Sequence, residues 1–217
     1  FQNYARNELN IQVYNISHKG SIELGKNFIQ WGASVDHTII RDKLNEWEFQ
    51  DSAGYSLPFN PNQLNLSGVL KSHADLTIDK YSGYAQDNIR ISNDVTLQAG
   101  VRFNYNSLNK EFSVSPRAQI SYKPKWKRDF IFKASAGIYD QPPFYREMRR
   151  YDGSVNTALK SQKSIQYVAG FDYNLLYGDK PMRITMEAYY KSMTDVDPYD
   201  IDNVRIRYFG ENNAKAY

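Results

Sequence analysis

The feature that most constrains this chain is strict alternation between apolar and polar residues. Val95, Leu97, Ala99, Val101, Phe103 and Tyr105 alternate with Thr96, Gln98, Gly100, Arg102 and Asn104. Successive side chains of a strand point to opposite faces, so this segment reads as a strand with one apolar face. The pattern recurs. Ile29–Ile39, Pro116–Lys123, Phe130–Ile138, Ile165–Leu175 and Met182–Lys191 alternate in the same way. Leu9–Leu24 and Leu70–Ile91 follow it less cleanly. Only Tyr145–Tyr151 has room for a helical turn or two, and Pro142-Pro143 limits it from the N-terminal side.

The connections divide into two kinds. Gly25-Lys26-Asn27, Ser92-Asn93-Asp94, Lys123–Asp129 and Gly178-Asp179-Lys180 are short and built from turn residues. Gln50–Asn65, Ser107–Ser113, Asp140–Ser164 and Thr194–Asn203 are expected to be longer polar loops. Short and long alternate along the chain, which places tight turns at one end of an up-and-down sheet and long loops at the other.

A soluble β-sandwich also alternates. Two features favour a transmembrane barrel over it. The polar face carries Arg102, Arg117, Lys133, Asp172, Arg183 and Glu187 in the middles of strands, and the long loops are one-sided. A barrel directs apolar residues to lipid and polar residues to the lumen, with short periplasmic turns and longer outer loops. About 9–11 residues suffice for a tilted strand to cross. Trp 3, Tyr 18 and Phe 11 supply an unusual aromatic content. Several aromatics flank the proposed turns, as an interfacial girdle would: Phe28 and Trp31, then Tyr122, Trp126 and Phe130, then Tyr173 and Tyr177. The expected fold is all-β: about eight or nine antiparallel strands in a meander, forming part of a single large barrel over residues 1–217. Eight strands could close a small barrel, but the end of the chain approaches a further strand, so the barrel is expected to be incomplete. The chain opens inside its pattern without an initiator Met, as a processed chain or a piece of a longer one would.

With Cys 0, disulfides, thiol nucleophiles and thiolate metal sites are excluded. No nucleotide-binding, hydrolase or zinc-protease motif is present, so neither enzymatic activity nor a cofactor is expected. Asp172 and Glu187 are better explained by ion pairs with Arg102, Lys133 or Arg183. Formal net charge is +3, which does not point to nucleic acid. Lys123, Lys125, Lys127 and Arg128 around Trp126 fit a turn at an anionic lipid surface.

Ser115-Pro116-Arg117, Ala136-Gly137-Ile138-Tyr139-Asp140-Gln141-Pro142-Pro143, Gln162–Tyr167, Glu187–Lys191 and Val204–Tyr208 occur in an order and spacing that resembles TonB-dependent outer-membrane receptors of the Bacteroidetes type. The resemblance is to middle strands of the barrel. It implies a plugged 22-stranded barrel in the bacterial outer membrane that takes up a scarce solute, energised by a TonB-type inner-membrane complex. The implied partners are membrane lipid, a plug domain, the remaining barrel strands and the TonB-type complex; a surface lipoprotein or larger envelope complex is a further candidate. This chain shows neither plug nor coupling segment, so no residue here inherits those roles. A passive porin-like channel and a structural barrel subunit of an envelope complex are the rival functions.

Two loops carry candidate site residues. In Asp140–Ser164, the residues Phe144, Tyr145, Arg146, Arg149, Arg150 and Tyr151 combine aromatic faces with guanidinium forks, which suits an anionic or polyhydroxylated solute. In Thr194–Asn203, Asp195, Asp197, Asp200 and Asp202 supply hard oxygens of the kind calcium takes, although Pro198 and Tyr199 interrupt them.

Overall fold

The computed structural model describes residues 2–49, 66–202, 205–208 and 212–217. The expected Gln50–Asn65 loop lies outside them. The strands are β1 (Gln2–Ala5), β2 (Glu8–Leu24), β3 (Asn27–Phe49), β4 (Leu66–Arg90), β5 (Val95–Asn106), β6 (Glu111–Tyr122) and β7 (Asp129–Gln141). A one-turn helix α1 (Tyr145–Met148) precedes β8 (Gln162–Tyr177), β9 (Lys180–Val196), β10 (Tyr199–Asp202), β11 (Arg205–Tyr208) and β12 (Asn212–Ala216).

One sheet holds ten of these strands. β3 to β9 pair consecutively and antiparallel; β1 and β2 share β3, and β12 pairs with β9. The short β1 and the 17-residue β2 are one strand broken at Arg6-Asn7, where the Arg6 N–H still reaches Asn45 O at 2.7 Å. The separate β10–β11 hairpin stands between β9 and β12 in sequence. The meander is therefore as expected, and the broken first strand and β12 bring the count above eight or nine. The sheet is open, with edges at β2 and β12.

Register aligns the alternating faces of successive strands. Leu97, Ile120, Ala134, Ala169 and Ala188 form one apolar row, and Val95, Tyr122, Phe132, Phe171 and Met186 form the next. Between them on the other face lie Thr96, Ser121, Lys133, Gly170 and Glu187. A shift of one residue in any pair would exchange these faces. Much of the apolar face is solvent-exposed in the chain: Met186 is 63% accessible and Ile184 41%. Such a face needs a non-aqueous neighbour. Among the described residues no helix is long and apolar enough to cross a membrane, so any crossing is by strands.

Aromatic side chains band this face at both ends. Near the short turns, Trp126 meets Phe130 and Phe132 edge-on, and Phe130 stacks on Tyr173 at 4.4 Å. Toward the other end lie the pairs Tyr81–Tyr105, Phe103–Phe112 and Tyr167–Tyr190.

The short turns fall where expected, and Gly25–Lys26 and Gly178–Asp179 join their strands with two residues each. Two expected long loops are corrected: in Thr194–Asn203, residues 194–196 finish β9 and residues 199–202 form β10. Ser107–Ser113 is a tight hairpin turn of residues 107–110, because Phe112 and Ser113 continue the ladder opposite Tyr105 and Asn104. The Asn106 and Asn109 side chains accept from Leu108 N–H and Glu111 N–H and close that turn.

Strand lengths are unequal in a way that matters. β3 and β4 have 23 and 25 residues, whereas β5 and β6 have 12 each. β3 and β4 are thus more than twice as long as a crossing requires, and in their outer halves the pattern inverts. On β3, Ile29 to Ile39 make the apolar face, but Arg41, Lys43 and Asn45 continue it, while the opposite face changes to Ile40, Asp42, Leu44 and Glu46, all nearly inaccessible. β4 inverts at the matching level, with Leu76 and Ile78 on the inner face and Asp75, His73 and Lys71 on the outer. The inner apolar patch exists because another segment covers it.

Candidate ligand-binding rim

That segment is the β7–β8 connection. Its chain leaves β7 through Pro142-Pro143, lays α1 against the tall wall of β3 and β4 and returns to β8 past the short β5–β6 hairpin. The Glu147 carboxylate accepts from the Phe144 N–H at 2.8 Å and secures the first turn of α1. Tyr145 packs with Ile40 and Ile78 in the one buried apolar cluster of the described residues, flanked by Leu76, Leu108 and Val155. Met148 is 1% accessible and Leu159 4%.

A buried polar latch joins loop to wall. The Tyr145 hydroxyl donates to Asp42 Oδ2 at 2.8 Å, and Arg149 Nη1 donates to the same oxygen at 2.7 Å. Burial, reinforced by the Asp42 carboxylate, holds the Tyr145 hydroxyl well above the usual tyrosine range. Burial also raises the Glu147 carboxyl, opposed by its bond from Phe144 N–H. Further along, Ser72 Oγ donates to Gly153 O at 3.0 Å. Gly153 sits at φ +82°, and a Cβ there would lie 2.5 Å from the Ser72 side chain, so only glycine permits this approach. Asn109 Nδ2 donates to Leu159 O, and Ser161 donates to Glu111 Oε2 through both its N–H and its hydroxyl. The loop is fastened at both ends and in the middle.

The six residues singled out in this loop therefore separate. Tyr145 is buried and Arg149 is paired with Asp42, so both hold the loop in place. Phe144, Arg146, Arg150 and Tyr151 are exposed. Arg150 Nη2 lies 3.3 Å from Asn156 Oδ1, and Ser154, through its hydroxyl and N–H, keeps the Asp152 carboxyl below the usual range. Asp42 and the inner-face leucine and isoleucines were not singled out from sequence. The available signal was the inversion at Ile39-Ile40, which a search for unbroken alternation passes over.

In the carboxylate-rich loop, Asp195 and Asp197 flank the end of β9, and Asp200 and Asp202 belong to the β10–β11 hairpin, whose Tyr199 and Tyr208 rings lie 6.0 Å apart. Asp197 is nearly inaccessible and Asp200 exposed. Among the described residues no three His, Asp or Glu side chains converge as a metal site would require.

On the polar face of the sheet, Asp172 is 1% accessible and forms ion pairs with both Lys133 and Arg183, while Thr185 Oγ1 donates to its second oxygen at 2.9 Å. Glu187 and Arg102 take no part in that group. Arg117 instead lies over the Tyr139 ring, 5.2 Å from its centroid. Elsewhere on this face Gln30 bonds Gln86 at 2.6 Å and Ser34 bonds Ser82 at 2.7 Å.

Residues 1–216 match the family model for the TonB-dependent receptor-like β-barrel. The chain belongs to that family of outer-membrane β-barrels. Solved structures with the same fold include the copper transporter OprC, at 13% identity and TM-score 0.65, covering 97% of this chain and 34% of that one. The ferric enterobactin receptor PfeA from Pseudomonas aeruginosa shares 16% identity at TM-score 0.58, covering 96% of this chain and 32% of its own. The outer-membrane transporter YddB from Escherichia coli shares 14% at TM-score 0.59, covering 96% and 30%. The chain thus spans about a third of the length of these receptors. A search of curated protein sequences returns no match.

Proposed function

We propose that this chain is a stretch of barrel wall, with its outer rim, from a TonB-dependent transporter that captures an anionic or polyhydroxylated solute for energised uptake. The observation that carries the reading is the pinned β7–β8 loop. Its buried side chains are spent on attachment, and Phe144, Arg146, Arg150 and Tyr151 are left facing solvent on a held backbone. Rings that stack and guanidinium forks that pair with carboxylate or phosphate are suited to such a solute, and holding them in place lowers the entropy cost of binding. Solved structures with this fold, among them a copper transporter and a ferric enterobactin receptor, support a transport role over an enzymatic one.

In this reading the apolar face meets lipid. The polar face, with Arg102, Arg117, Lys133, Asp172, Arg183 and Glu187, lines the lumen opposite a plug domain. The open edges at β2 and β12 pair with the remaining barrel strands, and TonB-type coupling acts through another part of the receptor.

The test is made in the full-length receptor. Replacing Arg146, Arg150 and Tyr151 together with alanine is expected to lower solute affinity and uptake by about tenfold or more, since charge-assisted bonds are among the stronger ones. Heat-modifiable gel migration, which reports the folded barrel, is expected to stay the same. Undiminished uptake and affinity would move the binding residues to other parts of the receptor.

A further inference from the structure

A third free edge lies inside the strand order of the sheet. β4 has 25 residues, but β5 pairs with it only from Lys80 to Arg90. β3 covers the other side of β4 from Gly68 to Ile89 without a break in register. Above the β5–β6 turn, the stretch Val69–Thr77 therefore has a strand neighbour on one side only. In the membrane reading proposed above, β5 with its 12 residues has the length of one crossing, so this stretch stands above the bilayer. The direction of its main-chain groups follows from the bonds at its two ends. Arg90 N–H donates to Lys26 O, so the even residues of β4 turn their N–H and C=O toward β3. Asp79 O accepts from Ser107 N–H at 2.9 Å, and Asp79 N–H donates to Ser107 Oγ at 2.8 Å, so the odd residues turn theirs the other way. Beyond Asp79, among the described residues, nothing bonds the edge-turned N–H and C=O of Thr77, Asp75, His73, Lys71 or Val69.

Proteins close an edge of this kind with a bulge, a proline, an inward-pointing charge or a covering segment. Val69–Thr77 has no bulge and no proline, and its inward side chains are Leu70, Ser72, Ala74 and Leu76. The β7–β8 loop lies on the inner face, with Tyr145 against Ile78 and Gly153 O on Ser72, and makes no main-chain bond to the edge. That loop leaves a floor for an incoming strand, because Leu76 and Leu108 are only partly buried at the margin of its apolar cluster.

We propose that Val69–Thr77 is a strand-addition site that takes an extended segment of a second protein at the cell surface. The edge presents an N–H and a C=O every two residues, about 7 Å apart, and a polypeptide main chain is the partner with the same repeat. The outer side chains add a preference. Asp75 is engaged by His73 Nε2 at 2.9 Å, whereas Lys71 is exposed and among the described residues has no carboxylate within 4.0 Å. An acidic residue set opposite Lys71 is therefore favoured. A strand added here extends the wall in line with β4 and does not enter the lumen, which selects a partner protein over a peptide solute. The site shares no residue with the solute rim, so it stands whether or not that rim binds as proposed.

The test uses the full-length receptor in detergent and a fluorescent peptide with one residue for each of Val69–Thr77. The peptide alternates threonine and valine, with glutamate where antiparallel pairing sets it opposite Lys71. A control peptide of the same sequence is N-methylated at the residues whose N–H groups face the edge. By fluorescence anisotropy the first peptide is expected to bind about tenfold or more tightly than the control, since the two differ in main-chain donors and not in side chains. Hydrogen exchange resolved to single amides is expected to be fast at Lys71, His73, Asp75 and Thr77 in the free receptor and slowed by the peptide, with Ser72 and Ala74 slow throughout. His73→Pro removes an edge donor and no ladder bond, and is expected to weaken the peptide by about tenfold with heat-modifiable migration intact. The comparison of the two peptides does not depend on that variant folding. Equal affinity for the two peptides, slow exchange at the odd amides of the free receptor, or undiminished binding to a folded His73→Pro receptor would each overturn the proposal. Uptake of the peptide through the receptor would make it cargo and overturn the choice of partner.

Discussion

At the scale of single residues, the sheet is a record of which face each side chain must occupy. Ala134 lies in the row Leu97–Ile120–Ala134–Ala169–Ala188, and Ser135 points the other way. An arginine on the lipid face near the midplane of an outer-membrane barrel costs about 2–4 kcal/mol. Ala134→Arg in the full-length receptor is therefore expected to destabilise the barrel by about that amount in denaturant unfolding from detergent. Ser135→Arg is expected to cost much less, because it lies on the polar face, where Gln119 and Gln98 flank it on one side and only Val168 on the other is apolar beside it. Equal losses, or the reverse order, would mean the register is off by one. The facing of these residues was legible in sequence because alternation is a local property of the strand. The pairing of Asp172 with Lys133 and Arg183 was legible only as a choice among cations. Selecting among them needs the register that sets β7, β8 and β9 side by side.

At the scale of elements, the β7–β8 loop shows where local reading stops. The sequence displays a long loop with rings and arginines, and all six conspicuous residues look alike in it. What separates them is contact with Ile40, Asp42 and Ile78, on strands far earlier in the chain. Those three lie at an inversion of the alternation, which appears in the sequence as a lapse in pattern and in the structure as a covered wall. Likewise, the Ser107–Ser113 segment looked like a loop because its polar residues hide two ladder positions. The latch itself gives two expectations. Tyr145→Phe removes one donor from the buried Asp42 carboxylate and is expected to weaken loop docking by about 1–3 kcal/mol. The measurable result is faster protease cleavage between residues 142 and 161 with heat-modifiable migration intact. The second expectation concerns pH. Tyr145 has its hydroxyl raised in the folded loop, so the folded state holds its proton where an undocked tyrosine, near pH 10, would release it. The docking contribution is therefore complete below about pH 10 and declines as pH rises through and beyond that value. Wild-type loop protection is expected to fall on alkaline titration above pH 10 with a component that Tyr145→Phe lacks; the same titration curve in both proteins would rule the latch out as its source.

At the scale of the whole molecule, the sheet has ten strands, two unpaired edges and an apolar face without a hydrophobic interior to bury it in. The buried apolar cluster among the described residues is small and belongs to the rim, not to the strands that cross. In the reading proposed above, stability comes from lipid against the apolar face and from strand partners along β2 and β12. Hydrocarbon satisfies no backbone N–H or C=O, so an open edge within it costs several kcal/mol for each unpaired group. Water, in turn, does not tolerate a broad apolar face with exposed ladder edges, which is a template for aggregation. Residues 1–217 produced alone are thus expected neither to stay soluble nor to insert into bilayers as a defined species. In size-exclusion chromatography without detergent the chain should elute in the void volume or be lost to the pellet. In liposomes it should remain fully open to protease, whereas co-refolding with the remainder of the receptor should restore protected, heat-modifiable barrel. A monodisperse, folded, detergent-free monomer of this chain would contradict both the lipid facing of its apolar rows and its place in a larger barrel, since each requires a surface that water cannot cover.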